Sequence, residues 1–211
     1  MRYRLTGMAA AALAMTFTVA ACSSSGPKAP NSDSGHVPAA RLGAAASSAT
    51  PAPSGTIGAG CARIPASGPG SIREMLSARV VTAMSHNPLL SDLVQAIHTA
   101  GLTNTLNAAR DITVFAPDNA AFAAPGSGNL KTLTADKAYL IKVLRYHLVT
   151  GRVTPAQLAT GKPLTTLLGP PVRPAVSGSV YTINKAQVVC GNVHTTNAVV
   201  YILNIVLIPA T

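Results

Sequence analysis

Side chains able to carry chemistry are few in this chain, and they are scattered. Asp and Glu total six in 211 residues, and Glu74, Asp92, Asp111, Asp118 and Asp136 are those of the part expected to fold. General acid–base work draws on paired carboxylates or a carboxylate beside a histidine, and such pairs are scarce here. The sequence holds no Gly-x-Ser-x-Gly elbow and no His-Glu-x-x-His pair. Gly161-Lys162 is followed by Pro163, and no glycine stands five positions before Gly161, so a phosphate-binding loop is excluded. His36 lies far toward the N-terminus and His86 precedes a turn. His98 and His147 fall on predicted helices, and His194 on a predicted strand. Nothing selects a Ser-His-Asp grouping among them. The three cysteines, Cys22, Cys61 and Cys190, lack the paired spacing of a structural zinc site. No catalytic residue, no metal and no cofactor is expected.

The cysteines point to export instead. Met1–Ala21 has a basic tip (Arg2, Arg4), an apolar run over Met8–Ala21, and small residues at its end. That is the layout of a secretory signal peptide, and the run is too short and too weakly apolar for a membrane span. It closes on Val19-Ala20-Ala21-Cys22, which resembles the bacterial lipobox. Small residues suit the cut, and the Cys22 thiol is the nucleophile that takes the acyl chains. The alternative is an ordinary secreted protein cut at an Ala-x-Ala-like site, with Cys22 incidental. Two or more chains anchor stably, whereas one is marginal.

Residues 23–60 are mostly Ser, Gly, Ala and Pro. Such a segment buries too little to offset its ordering entropy, so a disordered tether over 22–60 is expected. As a flexible coil it spans roughly 35 Å. Ser47, Ser48, Thr50 and Ser54 near prolines invite O-glycosylation on composition. With Cys22 acylated, Cys61 and Cys190 remain, and outside the membrane such a pair oxidises. The expected disulfide ties the start of the domain, residues 61–211, to a late strand; the alternative is two buried thiols.

Charge narrows the partners. The formal net charge is +10, or +8 once Arg2 and Arg4 leave with the leader. Aromatics are 4% and Trp is absent, so stacking platforms for single strands are not available. No basic run reaches five residues, and nucleic acid is not expected. The surface reads as cationic and tolerant of an anionic envelope.

The elements that must position these residues begin with a capping-box pattern, Ser71-Ile72-Arg73-Glu74, which predicts one helix over 71–85. Pro88 breaks it. A second helix opens at Ser91-Asp92, with Leu89, Leu90, Leu93, Val94 and Ile97 as its apolar stripe, and Gly101 stops it. A short turn follows at Thr105-Leu106-Asn107. Ile112-Thr113-Val114-Phe115-Ala116 reads as a strand covered on both faces, ended by Pro117 and turned by Asp118 or Asn119 into a short helix bearing Phe122. Thr134 is the expected cap of a helix over 135–147, with Leu140, Ile141, Leu144 and Leu148 inward. Short strands are then predicted at 164–168, 172–176, 180–183, 187–190, 193–196 and 199–208. Helices first and strands later argue an α+β domain.

Three strings in this frame resemble the fasciclin domain. Thr113-Val114-Phe115-Ala116-Pro117, followed by Asn119, Ala121 and Phe122, is similar to its first signature. Tyr146-His147 is similar to its central Tyr-His. Val200–Pro209, with Asn204 where the family usually has Asp, resembles its closing signature. Together they cover roughly residues 85–209. The resemblance extends to the mycobacterial surface and secreted antigen group of single-domain fasciclin proteins.

The resemblance implies a wedge-shaped β-sandwich with helices packed at one end. It also implies work at a surface: adhesion, or interaction with a protein or glycan of host, matrix or envelope. Animal relatives use the Tyr-His neighbourhood in adhesion, which makes Tyr146 and His147 candidate binding residues. The bland reading is a core histidine whose ring N–H satisfies a buried carbonyl. Animal relatives also carry Asn-Lys-Asp-Ile, which here reads Asn184-Lys185-Ala186-Gln187 without the acid. The expectation is an envelope lipoprotein, held outside the cell membrane by its lipid and partly secreted, displaying one such domain. The rival expectations are a carrier of lipid or another apolar ligand, and an inert wall component.

Overall fold

The computed structural model describes residues 55–124 and 129–210. The leader, Cys22 and the tether through residue 54 lie outside the described residues. A 3-10 turn, Ala59–Arg63, opens the domain. Six α-helices and one strand follow in order: α1 Ile72–Met75, α2 Val80–Ser85, α3 Ser91–Ala100, α4 Thr103–Ala108, β1 Ile112–Pro117, α5 Asn119–Ala123 and α6 Leu130–Ala135. The chain continues through α7 Lys137–Tyr146, β2 Leu148–Thr150, α8 Pro155–Ala159, β3 Leu164–Thr165 and β4 Pro171–Val172. It closes with β5 Pro174–Ser177, β6 Val180–Ile183, β7 Ala186–His194 and β8 Ala198–Leu203.

The strands form a mixed sheet in the order β2-β1-β8-β7-β6-β5, with β3 and β4 as a separate pair. β1 and β8 run parallel, from Ile112 opposite Ala198 to Pro117 opposite Leu203. Every residue of both strands is buried. Their side chains alternate between two cores. Ile112, Val114, Ala116, Ala198, Val200 and Ile202 face the helices. Phe115, Val199, Tyr201 and Leu203 face the other side, against Leu158 of α8 and Val172 of β4. The apolar run with little polar relief has this cause: both faces of the central strands are covered. Two register shifts in β7, between Val188 and Cys190 and between Cys190 and Val193, curl the sheet's far end. The result is α+β, with α1–α7 on one side of a curled sheet and α8 with the β3–β4 pair on the other.

Several expected boundaries are corrected. The helix over 71–85 is two helices. Ala78 gives its carbonyl to the Thr196 N–H at 3.0 Å, and the Val80 N–H donates to the Asn197 side chain at 2.9 Å. Those long-range bonds replace the helical ones at the break. Thr134 caps nothing; its hydroxyl donates back to the Leu130 carbonyl within α6. Asp136 caps α7 by accepting the N–H groups of Ala138 and Tyr139 at 2.8 and 3.1 Å. α7 ends at Tyr146, so Leu148 opens a strand rather than extending the helix. The turn at 105–107 is part of α4. The strands expected at 187–190 and 193–196 are one bulged strand, and 172–176 is split between β4 and β5. The last strand stops at Leu203, not 208. α8 was not expected, although Thr154-Pro155-Ala156-Gln157 forms a full capping box with Pro at the first turn.

Packing starts ahead of Cys61. Ile57 exchanges backbone hydrogen bonds with Gly191 at 3.1 and 2.7 Å, and Cys61 is joined to Cys190 by the expected disulfide. Gly58 has φ +95°, and a Cβ there would overlap the Val189 carbonyl. This crossing needs glycine for both reasons.

Candidate functional site

The first signature is built of residues that hold elements together. Thr113 is fully buried on β1. Its hydroxyl donates to the Gly151 carbonyl at 2.6 Å and accepts the Val153 N–H at 2.8 Å. Asp118, 3% exposed, caps α5 through the Ala121 N–H at 2.9 Å and receives the Arg63 guanidinium at 3.2 Å. α3 has no side-chain cap of its own. Asn119 supplies one from a distance: its carbonyl accepts the Asp92 N–H at 3.1 Å, while its amide donates to the Pro88 carbonyl and the Ser91 hydroxyl, both at 2.9 Å. Val114, Ala116, Ala121 and Phe122 fill the helix-side core. Phe115 packs on Tyr201 with ring centres 5.9 Å apart.

Tyr146 and His147 close α7. His147 is 1% exposed. Its Nδ1–H donates to the Val143 carbonyl at 2.8 Å, and Nε2 accepts the Leu207 N–H at 2.9 Å. Because Leu207 can only donate, Nε2 must be the bare nitrogen. Burial pushes the imidazole pKa down to about 4, with the Val143 bond pulling the other way. Tyr146 is 6% exposed; its hydroxyl accepts from the Asn184 amide at 3.1 Å and reaches the Pro171 carbonyl at 3.5 Å. Neither ring offers a partner a surface. Of the two readings of Tyr146 and His147, contact residues or core, the core one is in keeping with side chains that are enclosed and bonded internally.

The second string joins the same place. Asn184, at φ 55°, turns β6 into β7, accepts the Arg173 N–H at 2.9 Å and reaches Tyr146. The position where animal relatives carry Asp is Ala186, which is 1% exposed in the second core. Asn204 ends β8 by exchanging bonds with Gln187: its side chain accepts the Gln187 N–H at 2.8 Å, and its own N–H donates to the Gln187 carbonyl at 3.1 Å. An amide does this without a charge. Sequence reasoning missed the Asn184–Tyr146 bond and the Asn119 cross-cap. An Asn-Lys pair between two short strands was the readable signal for the first; the second had none, since it links positions far apart in the chain.

Histidines elsewhere are dispersed. His86 meets Glu74 at 2.7 Å, His98 meets Thr103 at 3.1 Å and His194 meets Asn192 at 3.1 Å, all at the surface. Among the described residues, no three His, Cys, Asp or Glu side chains are placed to hold a metal ion. A hollow of about 600 Å³ lies beside β2, with Val149 and Val153 buried at its lining and Gln157, Thr160 and Lys162 around it.

Comparison with known proteins agrees with this geometry. A family model described as the fasciclin domain matches residues 88–209. The chain is 36% identical over 209 residues to the cell surface glycolipoprotein MPT83 of Mycobacterium tuberculosis, covering 94% of this chain and 92% of that one. It is 36% identical over 161 residues to the immunogenic protein MPB70 of Mycobacterium bovis, covering 72% and 82%. The solved fasciclin-domain pair of the insect cell adhesion molecule Fasciclin I superposes with a TM-score of 0.54 at 17% identity, over 63% of this chain and 51% of that one. This chain thus spans about half of that chain's length. None of these relatives is named as an enzyme. Because the family model spans the signature strand, the buried Tyr-His pair and the closing strand, and relatives 36% identical cover most of the chain, the chain belongs to the fasciclin-domain proteins.

Proposed function

We propose that this protein is an envelope-anchored lipoprotein that displays one fasciclin domain for adhesion, or for interaction with a protein or glycan at the cell surface. One observation carries the reading. The similarity to the mycobacterial surface glycolipoproteins covers 94% of the chain, so it takes in most of the segment ahead of Gly55 as well as the domain. Cys22 in Val19-Ala20-Ala21-Cys22 supplies the acylated residue, and the tether holds the domain clear of the lipid. Among the described residues no helix is long and apolar enough to cross a membrane. The test is fractionation of cells making the full chain with Cys22 intact or as Cys22→Ser, alongside labelling with a fatty acid analogue. The wild type labels and stays with the membrane; the variant is unlabelled and released. Equal retention of both removes the anchor from the account.

A second reading has one observation behind it. The hollow beside β2 joins a buried apolar lining to a polar surround, which suits a small apolar ligand. Native mass spectrometry of the full chain extracted in mild detergent tests it. A co-purifying mass lost on extraction with organic solvent supports carriage, and a clean apo mass counts against it.

A further inference from the structure

A second, larger hollow of about 840 Å³ opens where α2, α4 and the β7–β8 turn meet. Most of its lining residues bear polar side chains: Ser77, Asn104, Asn107 and Thr196, with the guanidinium-bearing Arg79 and Arg110. Two alanines, Ala108 and Ala109, are the apolar part, and no aromatic ring lines it. Asp111 is the carboxylate in the lining, and it is held by Arg152 at 2.8 Å. Neither Arg79 nor Arg110 has a carboxylate partner among the described residues. Both are exposed.

The floor is fixed. Asn197, 7% exposed, accepts the Val80 N–H at 2.9 Å and donates to the carbonyls of Leu106 and Ala109, both at 2.9 Å. One side chain thereby pins the start of α2 and the end of α4 to the β7–β8 turn. Asn107 adds a second tie by accepting the Val81 N–H at 3.0 Å, and Arg79 donates to the Asn107 carbonyl. The guanidinium of Arg79 is thus held in place before any ligand arrives, which lowers the ordering cost of binding.

We infer that this groove binds an acidic polysaccharide. Arg79 and Arg110 take the carboxylate or sulfate groups of the chain, for which the planar guanidinium fork is suited. Amides and hydroxyls of Asn104, Asn107, Ser77 and Thr196 meet the sugar hydroxyls. The inference rests on the surface-interaction reading and names a ligand class and a site for it. A lipid bilayer fits less well, because the lining has no large apolar side chain to insert. Single-stranded nucleic acid fits less well, because no ring is present on which bases stack.

The test uses the full-length chain in mild detergent and three polymers: polygalacturonate, dextran sulfate and neutral dextran. Phosphatidylglycerol vesicles and an oligo-dT strand are run beside them. Wild type is compared with Arg79→Gln/Arg110→Gln, and with Lys142→Gln/Lys185→Gln, which removes equal charge elsewhere on the exposed surface. Arg110→Gln alone is included because Arg79 also supports the groove wall. The expected result is binding to an acidic polymer but not to dextran. Affinity falls about tenfold or more in the groove variant and changes little in the lysine variant. Whether polygalacturonate or dextran sulfate binds more tightly tells carboxylate from sulfate. Equal loss in both double variants overturns the inference, as does tighter, groove-dependent binding to vesicles or oligo-dT. Should wild type attach to cells or envelope material while ignoring both acidic polymers, the groove assignment falls and the surface-interaction reading stands; should it bind none of these, both fall.

Discussion

His147 is held neutral by its surroundings, and that gives the domain a defined response to acid. Its folded pKa of about 4 lies below the ordinary 6.5. As pH falls, the unfolded chain therefore takes up this proton first. Stability is whole above about pH 6.5 and declines between there and about pH 4, and the loss totals about 3 kcal/mol once both states are protonated. Denaturant titrations across that window should show the decline, and His147→Gln should flatten its share of it. His147→Ala leaves the Leu207 N–H and Val143 carbonyl unpaired and opens a cavity, so a loss of about 2–4 kcal/mol at neutral pH is expected. Thr113→Val keeps the shape and removes both hydroxyl bonds; about 2–3 kcal/mol should go, measured by the same titrations. At this scale the sequence pointed to the right residues and left their roles open. Thr113, Asn119 and His147 stand out as types and spacings, but apart from Val143, four residues before His147, their side-chain partners lie 27 to 60 residues away, beyond any local pattern.

Elements were legible where a local rule decides them and illegible where a distant bond does. β1 and β8 announce themselves by unbroken burial, and α3 by its apolar stripe and the left-handed Gly101 that stops it. The break between α1 and α2 could not be read, because Thr196 and Asn197, at the far end of the fold, impose it. α8 could have been read from its capping box. The disulfide acts at this scale too. It fastens the segment after Ile57 to the bulged β7, with 129 residues of sequence separation between its cysteines. Reduction should lower stability on the order of 4–5 kcal/mol in the chain-entropy account, read as a shift in denaturant midpoint with and without reductant. Gly58→Ala should unseat the same segment. Faster amide exchange at Ile57 and Gly191 is the expected sign, with the helix-side core unchanged.

For the whole molecule, the family signature and the contact surface separate. The residues that identify the family are spent on holding the fold together: the first signature and the Tyr-His pair join layers, and Asn204, at the surface, closes the last strand. The proposed contact surface, the groove of Arg79 and Arg110, lies on residues that the signature does not include. The same division explains why sequence reading reached the family readily and the binding face hardly at all. Core constraints repeat in fixed order along the chain, whereas a surface groove is assembled from separate segments around residues 77, 104–111 and 196. A net charge of +10 with few carboxylates leaves many cations without acidic partners, which favours anionic surfaces at low salt and weakens as salt screens them.

The most direct measurement is attachment of living cells to immobilised envelope material at physiological salt. Three strains of the organism that makes the protein are compared: one displaying the wild-type chain, one carrying Cys22→Ser, and one lacking the gene. Display through the lipid anchor predicts strong attachment in the first alone, with the Cys22→Ser strain as weak as the deletion although its domain is found folded in the medium. Equal attachment by all three strains would contradict the account.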